Sequence, residues 1–349
     1  MKYEFKILRA DRLDEWMRYY ERIENKGVYH HPRYINLMAD HFEGEPELLI
    51  YGKGDHFIYY PYYKRKINEL NFIENKKEVY DIISSWYYGG PILSDPGKEK
   101  ESLINQFNEK LQSKRKEDNI VSEFVRFDPL LENHKYFTAL KPEIDRNTVY
   151  VKLDQTEKEI WNNFESRNRR AIKQAKDTDI EIEQSKDLEE MKKWSKIYSN
   201  AMESRDAADH YRFSFDFFKT LLVDNNENFD FLVAKYHREI IGGFLIAYDD
   251  EWGHHYLSAS NPDYWDKRVN NLMFYNVILH SKEKGLDIFD FQGGRPGVYK
   301  FKKGFSPTRG EFYLGKVVHD EKRYDELVKI AEEAGKDTDE GFFPQYRTR

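Results

Sequence analysis

Hydrophobic positions along the chain recur at two spacings, one of strands and one of helices. "KYEFKIL" alternates as a strand, and helices are predicted around Leu13 to Glu24 and Pro32 to Phe42. "PELLIYGKGDHFIYYPYYKRKI" then holds two β-rich runs joined at Gly52-Lys53-Gly54-Asp55, the pattern of a hairpin. After the loop "WYYGGPILSDPG" a helix is predicted from about Lys98 to Lys116, followed by the strand "NIVSEFVRFDP", which ends at Asp128-Pro129. The second half repeats this order. "EKEIWNNFESRNRRAIKQAK" reads as one helix, with Ile160, Phe164, Ala171 and Ala175 near one face. The strand "DIEIEQ" and helices over "DLEEMKKWSKIYSNAMES" and Phe213 to Leu222 come next. A hairpin turns at His237-Arg238-Glu239, and "WGHHYLSAS" adds a third strand to it. "NNLMFYNVILHSKEKG" is a helix stopped by Gly285. In the short strand "LDIFDF", alternation places Leu286, Ile288 and Asp290 on one face. A strand near Phe312 to Val318 and a helix from Tyr324 to Ala334 follow.

The repeated order suggests an internal duplication, and hairpins within a βαβ pattern predict an α/β fold of mixed sheets flanked by helices. The boundary is expected within "LKPEIDRNT", residues 140 to 148, with the halves packed about a cleft. Length agrees, since 349 residues exceed one typical core.

Charge changes the picture more. The net charge of -7 argues against a dedicated duplex-DNA binder. Yet Arg167 to Lys176 carries five basic residues and no acid, and so does Phe291 to Gly310. Either window suits a solvated face; together they suggest one anionic ligand. Within the second, "VYKFKKGFSP" sets Lys300, Lys302 and Lys303 among Tyr299, Phe301 and Phe305. Those aromatics are spread so widely around a helix that part of their surface is expected to meet something other than the core. No run is apolar enough for a membrane span, no signal-peptide core opens the chain, and there are no cysteines; the expected location is cytoplasmic.

Serine-hydrolase, zinc-protease, P-loop and dinucleotide fingerprints are missing. His254-His255 and His30-His31 are poor chelators, because adjacent strand residues face opposite ways, so no metal is expected. Without an activated serine or cysteine, the plausible chemistry is direct attack of one aligned substrate on another. Three stretches could support it. Trp86, Tyr87, Tyr88 and Gly89 could wall a ligand or simply form a turn. Arg126 and Asp128 lie where α/β sheets hold ligands, though Asp128 before Pro129 also suits a helix cap. Phe301 with Lys302 and Lys303 could stack a substrate and stabilise an oxyanion.

"WYYGGPI", "VRFDPLL", "RNRRAIKQAKDTDIEI", "IIGGFLIAY", "YLSAS", "DIFDFQGG" and "VYKFKKGF", in that order, resemble the FemABX family of aminoacyltransferases of peptidoglycan interpeptide-bridge synthesis. The resemblance spans about residues 30 to 318. It implies two GNAT-like domains, here 1–148 and 149–349, and transfer of an aminoacyl group from charged tRNA to an amine on a small-molecule or lipid-linked acceptor, with no resident cofactor. It also implies that Lys302 stabilises the oxyanion, that Asp128 takes the amine's proton, and that Arg205 and Arg212 lie near an anionic acceptor. Trp86, Tyr87, Tyr88, Gly89, Arg126, Phe301 and Lys303 are then the expected substrate-binding residues, and Arg169, Arg170 and Lys173 the expected tRNA or polyanion contacts. Three features depart from the pattern: the coiled-coil arm of some members is missing, so is an N-terminal lysine beside "HHPRYINLMADHF", and "NPDYWDKRVNN" lacks the glycines of a GNAT pyrophosphate loop. An acyl-CoA-dependent N-acyltransferase of an amino sugar or amino acid, and a non-catalytic binder of the same fold, are the alternatives.

Overall fold

The computed structural model describes residues 3–73, 77–95, 100–205, 211–225, 227–339 and 341–348. In chain order its elements are β1 (Glu4–Arg9), α1 (Leu13–Tyr20), α2 (Pro32–Leu37), α3 (Ala39–Phe42), β2 (Glu45–Lys53), β3 (His56–Lys66), β4 (Tyr80–Ile83), β5 (Ile92–Leu93), α4 (Lys100–Glu117), β6 (Ile120–Arg126) and β7 (Pro142–Lys152). These are followed by α5 (Glu157–Asn163), α6 (Ser166–Lys176), β8 (Ile180–Gln184), α7 (Leu188–Glu203), α8 (Phe215–Val223), β9 (Phe229–Tyr236), β10 (Glu239–Tyr248), β11 (Trp252–Ser260), α9 (Val269–Glu283), β12 (Ile288–Asp290), α10 (Pro296–Lys302), β13 (Thr308–Val318) and α11 (Glu321–Glu333).

The chain divides into two units: Met1–Asp145 with Phe312–Arg349, and Arg146–Glu311. Each contains a mixed α/β sheet flanked by helices. In the first, the strand order is β1-β2-β3-β4-β6-β13, with β5 also on β3; β4 and β6 run parallel and the other pairs antiparallel. In the second the order is β8-β9-β10-β11-β12-β7, and β11 and β12 are the parallel pair. Both parallel pairs are joined through a helix, α4 or α9, as a parallel connection requires. The duplication read from the sequence is therefore one of topology.

The expected domain limits need correction at the C-terminal end. Residues 312–349, expected in the second domain, belong to the first unit. Leu314 to Val318 of β13 pair with Arg126 to Ser122 of β6. Tyr324, Leu327 and Ala331 of α11 share a core cluster with Val121, Val79 and Ile67. Three further strands, β4, β5 and β7, went unpredicted: two are very short, and β7 begins as an exposed, mostly charged run whose one apolar residue, Ile144, is itself exposed.

Turn chemistry explains the hairpins. His237 and Arg238 both have positive φ (47° and 66°), the two-residue geometry whose twist matches antiparallel strands. The expected single helix from Glu157 to Lys176 is broken. Phe164 is extended (ψ 142°) and buried in the second core, and Arg169 donates through one guanidinium nitrogen to the carbonyls of Asn162 and Phe164. Burying Phe164 against Phe305 (5.3 Å between ring centres) outweighs the local periodicity of the segment. The break turns the start of α6 toward the lysine-rich segment, where the Glu165 N–H donates to the Gly304 carbonyl at 2.8 Å.

Candidate functional site

Two groups of the predicted residues assemble, one in each unit. In the second unit, α10 opens with Pro296, which suits a first turn, and ends at Lys302. Its aromatic residues face inward. Phe305 is buried, and Phe301 lies edge-on to Phe274 and Phe305 at 5.0 and 5.3 Å. Tyr299 and Phe301 are only partly buried but pack on the same core, so these rings belong to the core more fully than their spacing suggested. The lysines divide sharply. Lys300 and Lys303 are exposed, whereas Lys302 is 5% exposed.

The Lys302 Nζ donates to the Gly293 carbonyl at 2.8 Å. Burial lowers its pKa to about 8, against the opposing charge of Asp290. Asp290 ends β12 fully buried, and its Oδ1 accepts from the Gln292 N–H at 2.6 Å. Gln292 has a left-handed conformation (φ 61°), which leads directly to Gly293. The other Asp290 oxygen lies 3.2 Å from His254 Nδ1, and His254 Nε2 lies 3.9 Å from Asp249. Burial works against a charged His254, but its two carboxylate neighbours prevail and raise its pKa to about 10. His255 points elsewhere, with Nε2 2.9 Å from Ser258 Oγ; burial, with the Lys302 charge adding, holds it well below its usual range.

The two basic windows do come together. An Arg167 guanidinium nitrogen donates to the Lys300 carbonyl at 2.7 Å, and Gly304 lies against Asn168 so closely that a Cβ there would be 2.6 Å from its Nδ2. Their members have different roles, however. Arg167 also pairs with Glu165 at 2.7 Å, Arg169 caps the end of α5, and Arg309 donates to the carbonyls of Ser306, Thr308 and Lys303. Arg170 and Lys173 remain as exposed cations on α6. Arg205 and Arg212 are exposed on either side of residues 206–210, which lie outside the described residues.

In the first unit, the aromatic-glycine loop and the end of β6 are joined. Gly89 forms a β-bridge to Phe127, and Asn133 donates to the carbonyls of Gly89 and Pro91 (2.8 and 3.1 Å) while accepting from the Asp128 N–H at 2.9 Å. Trp86 stacks on Tyr87 at 4.6 Å, and Tyr87 adopts a left-handed φ of 64° that bulky residues rarely accept. Trp86 and Tyr88 are buried and Tyr87 half-buried. Arg126 is half-buried; its N–H donates to Ser84 Oγ at 2.8 Å and its guanidinium lies 4.7 Å from the Phe124 ring centre. Asp128 is fully buried, and its Oδ1 accepts from the N–H groups of Leu130 and Leu131 at 2.9 and 3.3 Å. It therefore caps the following turn, the structural alternative weighed from the sequence.

Asn133, Asp290 and His254 were not among the candidate residues. The available signal was a charged side chain on the apolar face of the short strand over Leu286 to Asp290. Among the described residues, no group of three His, Cys, Asp or Glu side chains could hold a metal ion, and no helix is long and apolar enough to cross a membrane.

Between Asn261 and α9, where a GNAT pyrophosphate loop was sought, Pro262–Lys267 forms a 3-10 helix. Its first amides serve local bonds, Asp263 N–H to the Asn261 side-chain oxygen and Tyr264 N–H to the Asn261 carbonyl, and just beyond it Arg268 N–H donates to the Trp265 carbonyl.

Residues 162–303 match the family described as the acetyltransferase (GNAT) domain. No curated protein matches the chain. Among solved structures, FemX is similar with a TM-score of 0.67 at 13% identity, covering 93% of this chain and 99% of its own. The C-terminal domain of a protein described as a putative lysylphosphatidylglycerol synthetase from Agrobacterium fabrum aligns with a TM-score of 0.54 at 12% identity, over 92% of this chain and 96% of that one. L-PGS from Bacillus licheniformis aligns with a TM-score of 0.52 at 11% identity, over 93% and 97%. At such identities the likeness is one of fold. Lys302 thus lies within the segment that matches the acetyltransferase (GNAT) domain, in a chain that has the fold of FemX.

Proposed function

We propose that this chain is an acyltransferase that moves an aminoacyl group from charged tRNA onto an amine, carried by an acceptor of the peptidoglycan-precursor or lipid-linked kind. One observation carries the reading: of the three lysines in the segment, Lys302 alone is buried, at the end of α10, with its ammonium held on the Gly293 carbonyl. Ester aminolysis needs such a group. The amine nitrogen attacks the ester carbonyl and forms the C–N bond, and the oxygen of the tetrahedral intermediate is stabilised by the fixed cation. The C–O bond to the terminal ribose then breaks, and the proton shed by the amine ends on the departing ribose oxygen. Atoms and charge balance without a cofactor. Asp128 lies in the other unit, where its Oδ1 is engaged by the turn it caps.

The donor assignment is supported by the 3-10 helix at Pro262–Lys267, which contains no glycine and whose first amides are taken up by Asn261. A pyrophosphate cradle is built from a glycine-rich loop whose free amides lead into a helix N-terminus. The exposed Arg170 and Lys173 suit tRNA phosphates, and the name of the Agrobacterium relative, which joins a lysyl group to a lipid, fits an aminoacyl group and a lipid-linked acceptor. The acetyltransferase description of residues 162–303 favours the second reading, acyl-CoA-dependent N-acylation.

Incubation of the pure protein with a mixture of charged tRNAs, or with acyl-CoAs, and a pool of amine acceptors separates the two. Transfer that requires charged tRNA and is abolished by ribonuclease is expected. Ribonuclease-insensitive transfer from an acyl-CoA would establish the second reading instead.

A further inference from the structure

The lysine on which the proposed chemistry rests is placed by a chain of contacts that begins at a buried acid. Asp290 is fully enclosed, and its two oxygens do different things. One accepts from the Gln292 N–H at 2.6 Å and so holds that residue in its left-handed turn. The turn directs the Gly293 carbonyl at Lys302 Nζ, 2.8 Å away. The other oxygen lies 3.2 Å from His254, its cross-strand neighbour in the β11–β12 pairing, and His254 in turn faces Asp249 at 3.9 Å. Beyond these, the titratable group that senses the Lys302 charge is His255 on β11. Lys302 and His254 as cations, with Asp290 and Asp249 as anions, make a buried array with no net charge. Isolated, each of these charges would be expensive to bury; as an array they are tolerated.

We propose that Asp290 is the positioning residue of Lys302, acting through the Gln292–Gly293 turn and through its charge, with His254 and Asp249 as its buried counterweight. This rests on Lys302 being the oxyanion-stabilising group, but the link from Asp290 to Lys302 can be measured apart from turnover. Burial alone would drive the ammonium toward its neutral form, and the Asp290 carboxylate is the opposing charge. His254, held against one oxygen of that carboxylate, tempers it.

The two partners therefore have opposite signs. In Asp290→Asn the amide keeps an oxygen to accept from Gln292 but loses the negative charge, so the Lys302 titration midpoint should fall from about 8 by roughly one pH unit or more, the usual effect of one close opposite charge. In His254→Gln the carboxylate is left untempered, and the midpoint should rise. The readout is nuclear magnetic resonance of the protein grown with isotopically labelled lysine, the Lys302 signal being assigned by its loss in Lys302→Arg. Shifts in opposite directions are the expected result. A folded Asp290→Asn protein with an unmoved midpoint, or the same direction of shift in both variants, would overturn the proposal. Should Asp290→Asn fail to fold, the sign of the His254→Gln shift alone decides it. In turnover, Asp290→Asn should lower kcat by roughly ten- to a hundredfold, with KM little changed, as misplacement of a reacting group does. Full activity in Lys302→Ala would remove the functional reading while leaving the measured coupling intact.

Discussion

At the scale of the residue, a lysine with a pKa near 8 is an unusual side chain, because it is a cation that can be lost within the working range of an enzyme. If its charge stabilises the oxyanion, turnover should decline as pH rises through about 8, while the acceptor amine, which must be unprotonated to attack, sets the limb on the acid side. Rate against pH should then be bell-shaped, and the alkaline limb should move in Asp290→Asn. Lys302→Ala should lower turnover by about 10²–10³-fold with folding retained, whereas Lys300→Ala, on an exposed position, should be mild. Equal losses in the two would remove Lys302 from its assigned role. Stability has its own dependence. His254 is raised to about 10 in the fold, so its contribution is complete below its unfolded value, about 6.5, and disappears as pH rises toward 10. Lys302 has the opposite sign, since its folded pKa is depressed: the destabilisation it brings is complete below about 8 and fades above it.

At the scale of the element, α6 shows how a helix full of cations can have divided duties. Arg169 caps α5 and Arg167 ties the helix to the Lys300 carbonyl, which leaves Arg170 and Lys173 as outward-facing charges. Replacing those two with glutamate should raise KM for the charged tRNA more than it lowers kcat, and should flatten the log–log salt dependence of binding by roughly one to two units. A salt slope equal to that of the parent would return this face to simple solvation. Much of this element was legible in the sequence, namely its charge, its approximate span and its shared neighbourhood with the lysine segment. The break at Phe164 was not, because helical periodicity continues through it and only Phe305, far along the chain, explains its burial. The strands tell the same story. Hairpins announced themselves through alternation and turn residues, whereas β7 is identified by its partner, Tyr150 to Lys152 pairing with Asp290 to Ile288. The site was half legible for a related reason. Lys302 stood out because it lies beside aromatics in an acid-free window, but His254 and Asn133 act through neighbours remote in sequence, and Asp290 was marked only as a charge on the apolar face of its strand.

At the scale of the whole molecule, the pairing of β13 with β6 decides which pieces of the chain can stand alone. A fragment ending at residue 148 lacks β13 and α11, so the edge of β6 and the apolar side chains of Val121, Val79 and Ile67 lose their cover. Such an unpaired edge invites association. The fragment should aggregate or melt without a cooperative transition, and co-expression with residues 306–349 should restore one, whereas the segment Arg146–Glu311 alone should unfold cooperatively. Circular dichroism melts and sedimentation of the three preparations check this, and a monomeric, cooperatively folded 1–148 would contradict it. The same strand has a consequence for the ribosome. Synthesis proceeds from the N-terminus at about 5–20 residues per second, so the first unit has most of its residues in hand but must wait on the order of ten seconds for its last strand. During that interval the second unit, contiguous in the message, receives every one of its strands. The half translated first is the half completed last, and the exposed edge of β6 is where a nascent-chain chaperone would have reason to sit.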